Sequence, residues 1–331
     1  MSVAGKRRSD LTEKRRQNNG LKRKCDSGRS RFALLLALAA LILAGLSAPI
    51  DAAEGKAGKW RSCDPGGILT QSVPDPVSGR SYDIEVSLPL GYDATAAKLY
   101  PVLYLADGGR AVRPLACRVR ALYGEGSLRV DPIIVGLSYA KGESLEVSRK
   151  RDYTPIPLKP GDTAYGGASA YQLYLRQTVI PYVERQYRAD PDRRLYWGHS
   201  YGGLLGTRIL LTEPGLFATY MLGSPSYWFG DQAILAIEAD YAKANADLKA
   251  EVLMYVGGDE VSRYDAGRRG YTKDMVGGMK AFEARLRERG FPGLSIRSLV
   301  VPGKNHRNTI PAGFNWALTS ALGSDRRTLP Q

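Results

Sequence analysis

The sequence predicts one α/β domain built on a mostly parallel, twisted sheet with helices on its faces. Three observations predict it. Strand-like apolar runs alternate with helical ones from residue 81 to 322, no linker, repeat or low-complexity break divides them, and a serine between glycines stands where one strand passes into a helix. A chain of 331 residues can hold one large or two small domains. The unbroken alternation argues for one, over residues 54–325.

Strands are expected at about 82–88, 100–106, 132–138, 194–198, 217–222, 251–256 and 295–301, each a short apolar run bounded by turn residues. Helices are expected at about 169–187, 203–213, 231–246, 273–288 and 310–322. The fourth carries Met275, Met279, Phe282 and Leu286 at helical spacing. The polar, Gly- and Pro-rich stretch 140–168 reads as a loop.

The serine lies in Gly198-His199-Ser200-Tyr201-Gly202, after the strand-like Arg194-Leu195-Tyr196-Trp197 and before the helix-like run from Gly203 to Leu211. A serine on a sharp strand-to-helix turn has a strained backbone, and glycines on both sides keep Cβ atoms out of the crowded turn. Ser200 is therefore a candidate nucleophile. Serine needs a base, most often histidine, and the chain has only two. His199 sits inside the turn and is expected to point away from the serine, which leaves His306, where the apolar run Val300-Val301 passes into a polar loop. The orienting acid should follow another strand between them. Glu251–Val256 is such a strand, ending in Gly257-Gly258-Asp259-Glu260. Spacing alone does not separate Asp259 from Glu260, and Asp265 is a more distant option. An oxyanion would be held by the backbone N–H of Tyr201 and by one from Gly108 or Gly109, after the strand Tyr100–Ala106.

Several stretches together resemble the esterase family of α/β-hydrolases that contains enterochelin esterases, periplasmic relatives that open siderophore trilactones, and esterase D-like enzymes. They are SYDIEVSLPLGY at Ser81–Tyr92, YPVLYLADGG at Tyr100–Gly109, Arg151-Asp152-Tyr153-Thr154-Pro155, Ile180-Pro181-Tyr182-Val183-Glu184, and Gly223-Ser224-Pro225-Ser226-Tyr227-Trp228. The likeness runs from about residue 80 to 320. It implies an α/β-hydrolase fold and a G-x-x-E acid, which maps onto Gly257 to Glu260 and favours Glu260 over Asp259. Tyr201 and Ala106 depart from the leucines common at those positions, and Tyr201 would narrow the acyl side of the cleft. Trp228 and Arg151 are the expected substrate contacts, Arg151 as a cation for an anionic group.

The first 50 residues differ in kind. Residues 1–31 carry eleven Lys and Arg against three acids, and Phe32 to Leu46 is an unbroken apolar run. This reads as an export signal, or as an uncleaved anchor with its basic end inside; both place the catalytic domain beyond the cytoplasmic membrane, with membrane contact only through this segment. The leader holds +8 of the formal +14 charge, so +6 belongs to the rest. That removes most of the support for a nucleic-acid partner. Cys25 stays in the leader, which leaves Cys63 and Cys117 as an even pair that either bridges or stays reduced. With two histidines and no cluster at metal-ligand spacing, neither metal nor other cofactor is expected.

The function expected from the sequence is an exported serine esterase using a Ser200–His306–Glu260 triad on a small-molecule ester, with a catecholate siderophore trilactone as the leading substrate. A general or feruloyl-type carboxylesterase and an acyltransferase are the alternatives on the same fold, and an inactive binding protein is the last.

Overall fold

The structure is a computed structural model and describes residues 63, 65–262 and 273–324. The basic leader, the apolar run Phe32–Leu46 and Asp265 lie outside the described residues. Among the described residues, eight strands form one sheet: β1 (Leu69–Pro74), β2 (Ser81–Ser87), β3 (Tyr100–Leu105), β4 (Ile133–Ala140), β5 (Ala189–His199), β6 (Thr219–Gly223), β7 (Ala250–Gly257) and β8 (Leu294–Val301). Their order is β1-β2-β4-β3-β5-β6-β7-β8. β1 and β2 run antiparallel to their neighbours, and every later pairing is parallel.

A parallel sheet is covered on both faces, so its inner strands read as continuous apolar runs. β3, Tyr-Pro-Val-Leu-Tyr-Leu, is buried at every position. Alternate residues serve opposite faces. Leu103, Leu105, Leu195, Trp197, Met221, Leu253 and Tyr255 pack under α1 (Gly108–Gly124) and the last helix. Tyr104, Tyr196, Tyr220, Leu222, Val252 and Met254 join the larger cluster on the other face.

Three elements were not expected from the sequence. β1 is an edge strand exposed at nearly every position, so no buried face imposes an alternation on it. α1 contains Pro114 and four arginines, which mask a stripe of Val112, Leu115, Ala116, Val119 and Leu122 at helical spacing. Arg120 of this helix is buried against Asp131 and donates to the carbonyl oxygens of Ser87, Leu88 and Pro132, fixing α1 to the ends of the strands. Within the stretch 140–168, which the sequence presents as a loop, residues Leu145–Tyr153 form α2, whose Ser144 side chain accepts from the Val147 N–H. Its surface is mostly polar, so periodicity does not reveal it.

The helix expected at 169–187 is present as α3 (Ala168–Tyr174) and α4 (Ile180–Gln186), joined by a widened turn over Leu175–Val179. Pro181 has no N–H to give to the turn before it. α5 (Tyr201–Thr212), α7 (Met275–Arg289) and α8 (Ile310–Leu322) fall close to their expected places. α6 (Ile234–Ala244) is shorter than expected, because Gly230, Asp231 and Gln232 have positive φ and break the approach to it.

Parallel register aligns the carboxyl ends of four neighbouring strands. His199 pairs with Gly223, Gly223 with Tyr255, and Gly257 with Val301. The loops after β5, β6, β7 and β8 therefore leave one edge of the sheet together, the place where open α/β sheets hold ligands.

Candidate active site

β5 ends at His199 and α5 begins at Tyr201, so Ser200 alone makes the turn, with φ 61° and ψ −117°. A non-glycine residue there carries strain on the order of 1–3 kcal/mol. The surroundings hold it: Ser200 N–H donates to the Gly223 carbonyl (2.8 Å), and its own carbonyl accepts from Leu204 N–H (3.0 Å) and Ser226 N–H (3.2 Å). A Cβ at Gly198 would strike the Gly202 carbonyl oxygen, which is why the flanking residue must be glycine. Ser200 Oγ lies 3.3 Å from Oγ of Ser226, a residue buried behind β6.

Glu260 follows β7 and is buried, with a side chain 1% exposed. Its Oε2 lies 2.6 Å from Nδ1 of His306, which follows β8. Its Oε1 accepts from the Ser224 hydroxyl (2.7 Å) and the Gly257 N–H (2.8 Å). Asp259, one residue earlier, is exposed, and its N–H donates to the Lys304 carbonyl (3.0 Å). The loop Ser224-Pro225-Ser226 thus touches the acid with its first serine and the elbow serine with its last.

His199 turns its ring toward His306, with centroids 4.6 Å apart. The His306 carbonyl can only accept, so the 2.7 Å contact places the proton of His199 on Nε2. Burial, and then the neighbouring His306, push the His199 imidazole down to about 3. It is a neutral structural group beneath the second histidine.

The two proposed oxyanion segments begin helices. Tyr201 opens α5, and Gly108 and Gly109 open α1 behind Asp107. First-turn amides have no acceptor within their own helix, and the helix dipole makes both ends electropositive. Gly108 must be glycine because α1 starts against β4: a Cβ there would lie 2.5 Å from the Gly136 carbonyl carbon.

Arg151 does not reach the elbow. It lies in α2 with a side chain 12% exposed, and its guanidinium pairs with Glu143 (2.5 Å) and Asp152 (2.8 Å). This corrects its expected place as a cleft cation, because its donors are spent within the shell around α2. The arginine that meets the elbow is Arg149, two residues earlier, which donates to the His199 carbonyl (3.0 Å) and pairs with Asp107. Trp228 does stand by the elbow, its ring 6.0 Å from that of Tyr201, with the Lys273 ammonium over its face. Its Nε1 is buried without a hydrogen-bond partner. Sequence reasoning passed over Ser224, Ser226 and Arg149, although all three lie in or beside the quoted segments; spacing along the chain does not show which member of a short segment faces the site.

The chain matches known proteins along most of the described domain. A family model described as "Putative esterase" matches residues 76–293. The ferri-bacillibactin esterase BesA of Bacillus subtilis is 26% identical over 257 residues, covering 74% of this chain and 86% of that protein. The apo-salmochelin esterase of Escherichia coli is 32% identical over 173 residues, covering 49% of this chain and 52% of that protein. Among solved structures, the siderophore hydrolase EstB of Aspergillus nidulans superposes with a TM-score of 0.67 at 22% identity, over 81% of this chain and 99% of that one, a likeness of fold. The family match spans well over half of the chain, and it belongs to that esterase family as a carboxylic ester hydrolase of α/β fold.

Proposed function

We propose that the protein hydrolyses siderophore esters through Ser200, His306 and Glu260. The observation that carries the mechanism is the buried Glu260–His306 contact of 2.6 Å, whose histidine carbonyl meets His199, the residue before a serine held at φ 61°. The Glu260 carboxylate accepts from Nδ1–H and leaves Nε2 of His306 as the base. Ser200 Oγ attacks the ester carbonyl carbon as its proton passes to Nε2. The carbonyl oxygen, now anionic, takes N–H donors from Tyr201 and Gly108 or Gly109. Collapse expels the alcohol, which takes the proton from His306. Water repeats the sequence and releases the acid.

The substrate class rests on the relatives, whose names are those of siderophore esterases. Trp228, Tyr201 and Lys273 offer aromatic faces and a cation beside the elbow, chemistry suited to an aryl acyl group. Export beyond the cytoplasmic membrane is part of the same reading. It is supported by the basic leader with its apolar run and by the Cys63–Cys117 disulfide, since such bonds persist in oxidising compartments.

The test is mass spectrometry of products after the protein meets an iron-free and an iron-loaded catecholate trilactone, with a short-chain aryl ester as control and Ser200→Ala as blank. Linear trimer or monomer from the wild type and none from Ser200→Ala is the expected result. Cleavage of the aryl ester alone keeps the serine mechanism and removes the siderophore, and an unaltered activity in Ser200→Ala removes the mechanism.

A further inference from the structure

Asp107 occupies the N-cap of α1 in a left-handed conformation, φ 60°, yet its side chain makes no capping bond to its own helix. An N-cap aspartate ordinarily accepts from the second or third amide of the helix it starts. Here both carboxylate oxygens are engaged elsewhere. Arg149 Nε donates to Oδ1 (2.7 Å) and Nη2 to Oδ2 (3.1 Å), while the Tyr139 hydroxyl also donates to Oδ1 (2.8 Å). The Asp107 N–H donates to the Tyr153 hydroxyl (3.0 Å). The same Arg149 Nη2 donates to the His199 carbonyl (3.0 Å), and the guanidinium lies 5.3 Å over the Tyr201 ring and 5.7 Å over that of Tyr153.

We propose that Arg149 is a positioning residue that sets the separation between the two helix N-termini whose amides receive the oxyanion. One rigid guanidinium bridges residue 107, which immediately precedes Gly108, and residue 199, which precedes the elbow serine and Tyr201. The planar fork grips the carboxylate at two points and reaches the elbow carbonyl with the same nitrogen, so a change in the distance between the two turns would break at least one bond. The two aromatic faces hold the guanidinium plane in place. An aspartate strained at φ 60° and diverted from its own helix is accounted for by this task. The inference rests on the ester-hydrolysis reading and deepens it, since it assigns how the oxyanion donors are held.

The test compares kcat and KM on a short-chain aryl ester, together with the rate at which a fluorophosphonate labels Ser200, a reaction that also places an anionic oxygen at the amides. Arg149→Ala should lower kcat and the labelling rate by about 10²-fold with KM within about 3-fold, the size of losing one well-placed oxyanion donor. Arg149→Lys keeps the charge without the fork and should stay close to Arg149→Ala. Three results would overturn the proposal: an unchanged kcat in folded Arg149→Ala, a rise in KM alone, which would make Arg149 a substrate contact, or wild-type kcat in Arg149→Lys. Should Arg149→Ala lose its fold by circular dichroism, Asp107→Asn removes charge from the other end of the bridge. It should lower kcat in the same direction with KM unchanged, and a wild-type kcat there would also sink the idea. Failure of the underlying reading is separate: the wild type would not be labelled, or Ser200→Ala would keep its turnover.

Discussion

Glu260 Oε2 lies 2.6 Å from His306 Nδ1, although 46 residues separate the two along the chain. The contact is made because β7 and β8 are parallel neighbours, which brings the loops that follow them to the same edge of the sheet. Burial leaves the carboxylate little solvent to compete with its partners, and Ser224 and Gly257 hold its other oxygen. The acid is thereby committed to one orientation.

Glu260→Gln should lower kcat by roughly 10³- to 10⁴-fold, since an amide in that place favours the wrong tautomer of His306. Asp259→Asn, at an exposed position, should change kcat by less than about 3-fold on the scale of surface substitutions. Steady-state kinetics on an aryl ester compare the two, and equal losses or the reverse order would overturn the choice of acid.

Ser224→Ala removes the hydroxyl donor to Glu260 Oε1 and leaves the Gly257 N–H as the remaining donor to that oxygen. Hydrogen bonds to charged groups contribute about 1.5–3 kcal/mol. The variant should melt at a lower temperature and show a kcat reduced by about 10-fold, corresponding to about 1.4 kcal/mol of weakened positioning. A melting temperature equal to that of the wild type would show that Ser224 does not hold the acid.

Acid should destabilise the protein through His199. Its folded-state pKa of about 3 lies below the 6.5 of an unperturbed histidine, because burial disfavours the charged form. The unfolded chain therefore takes the proton first. The stability from keeping this ring neutral is complete above about pH 6.5 and is lost as pH falls toward 3, by up to about 1.4 kcal/mol per pH unit. His199→Gln keeps an N–H donor for the His306 carbonyl and cannot titrate, so its stability should fall less steeply over that window. Denaturant unfolding of both proteins at pH 7, 6, 5 and 4 measures the difference, and parallel slopes would contradict it.

The Cys63–Cys117 disulfide joins the first described residue to the middle of α1, across a sequence separation of 54. Cross-linking a loop of that size stabilises a fold by about 2–4 kcal/mol, chiefly through the unfolded chain. The double variant Cys63→Ser, Cys117→Ser should melt roughly 5–10 °C lower while retaining its kcat at 25 °C, because the bridge meets α1 at Cys117, about two helical turns beyond Gly108 and Gly109. A reducing agent should lower the melting temperature of the wild type and leave the double variant unchanged.

Much of this was legible in the sequence because it depends on local chemistry. A serine between glycines at a strand-to-helix junction needs only its immediate neighbours to fix the turn, and the apolar runs of β3, β5 and β7 announce strands buried on both faces. With two histidines in the chain and His199 inside the elbow, composition and position together leave His306 as the candidate base. What depends on distant partners was not legible. The polar surface of α2 carries no clear periodicity, so the helix there reads as a loop, and Arg151 reads as a cleft cation although its guanidinium pairs with Glu143 and Asp152 while Arg149 donates to the His199 carbonyl. Arginines two residues apart look alike along a chain, and only the packing of α2 against Glu143 on one side and Asp107 on the other decides which of them meets the elbow. Asp259 and Glu260 are separated by a single peptide bond, and the sheet register decided which one His306 meets. The sequence by itself determined the elbow, the strands β2 to β8 and the candidate base, because each follows from neighbouring residues; the Glu260–His306 contact, its serine support and the Arg149 bridge were decided by the tertiary structure, because each joins segments distant along the chain that only the folded sheet brings together.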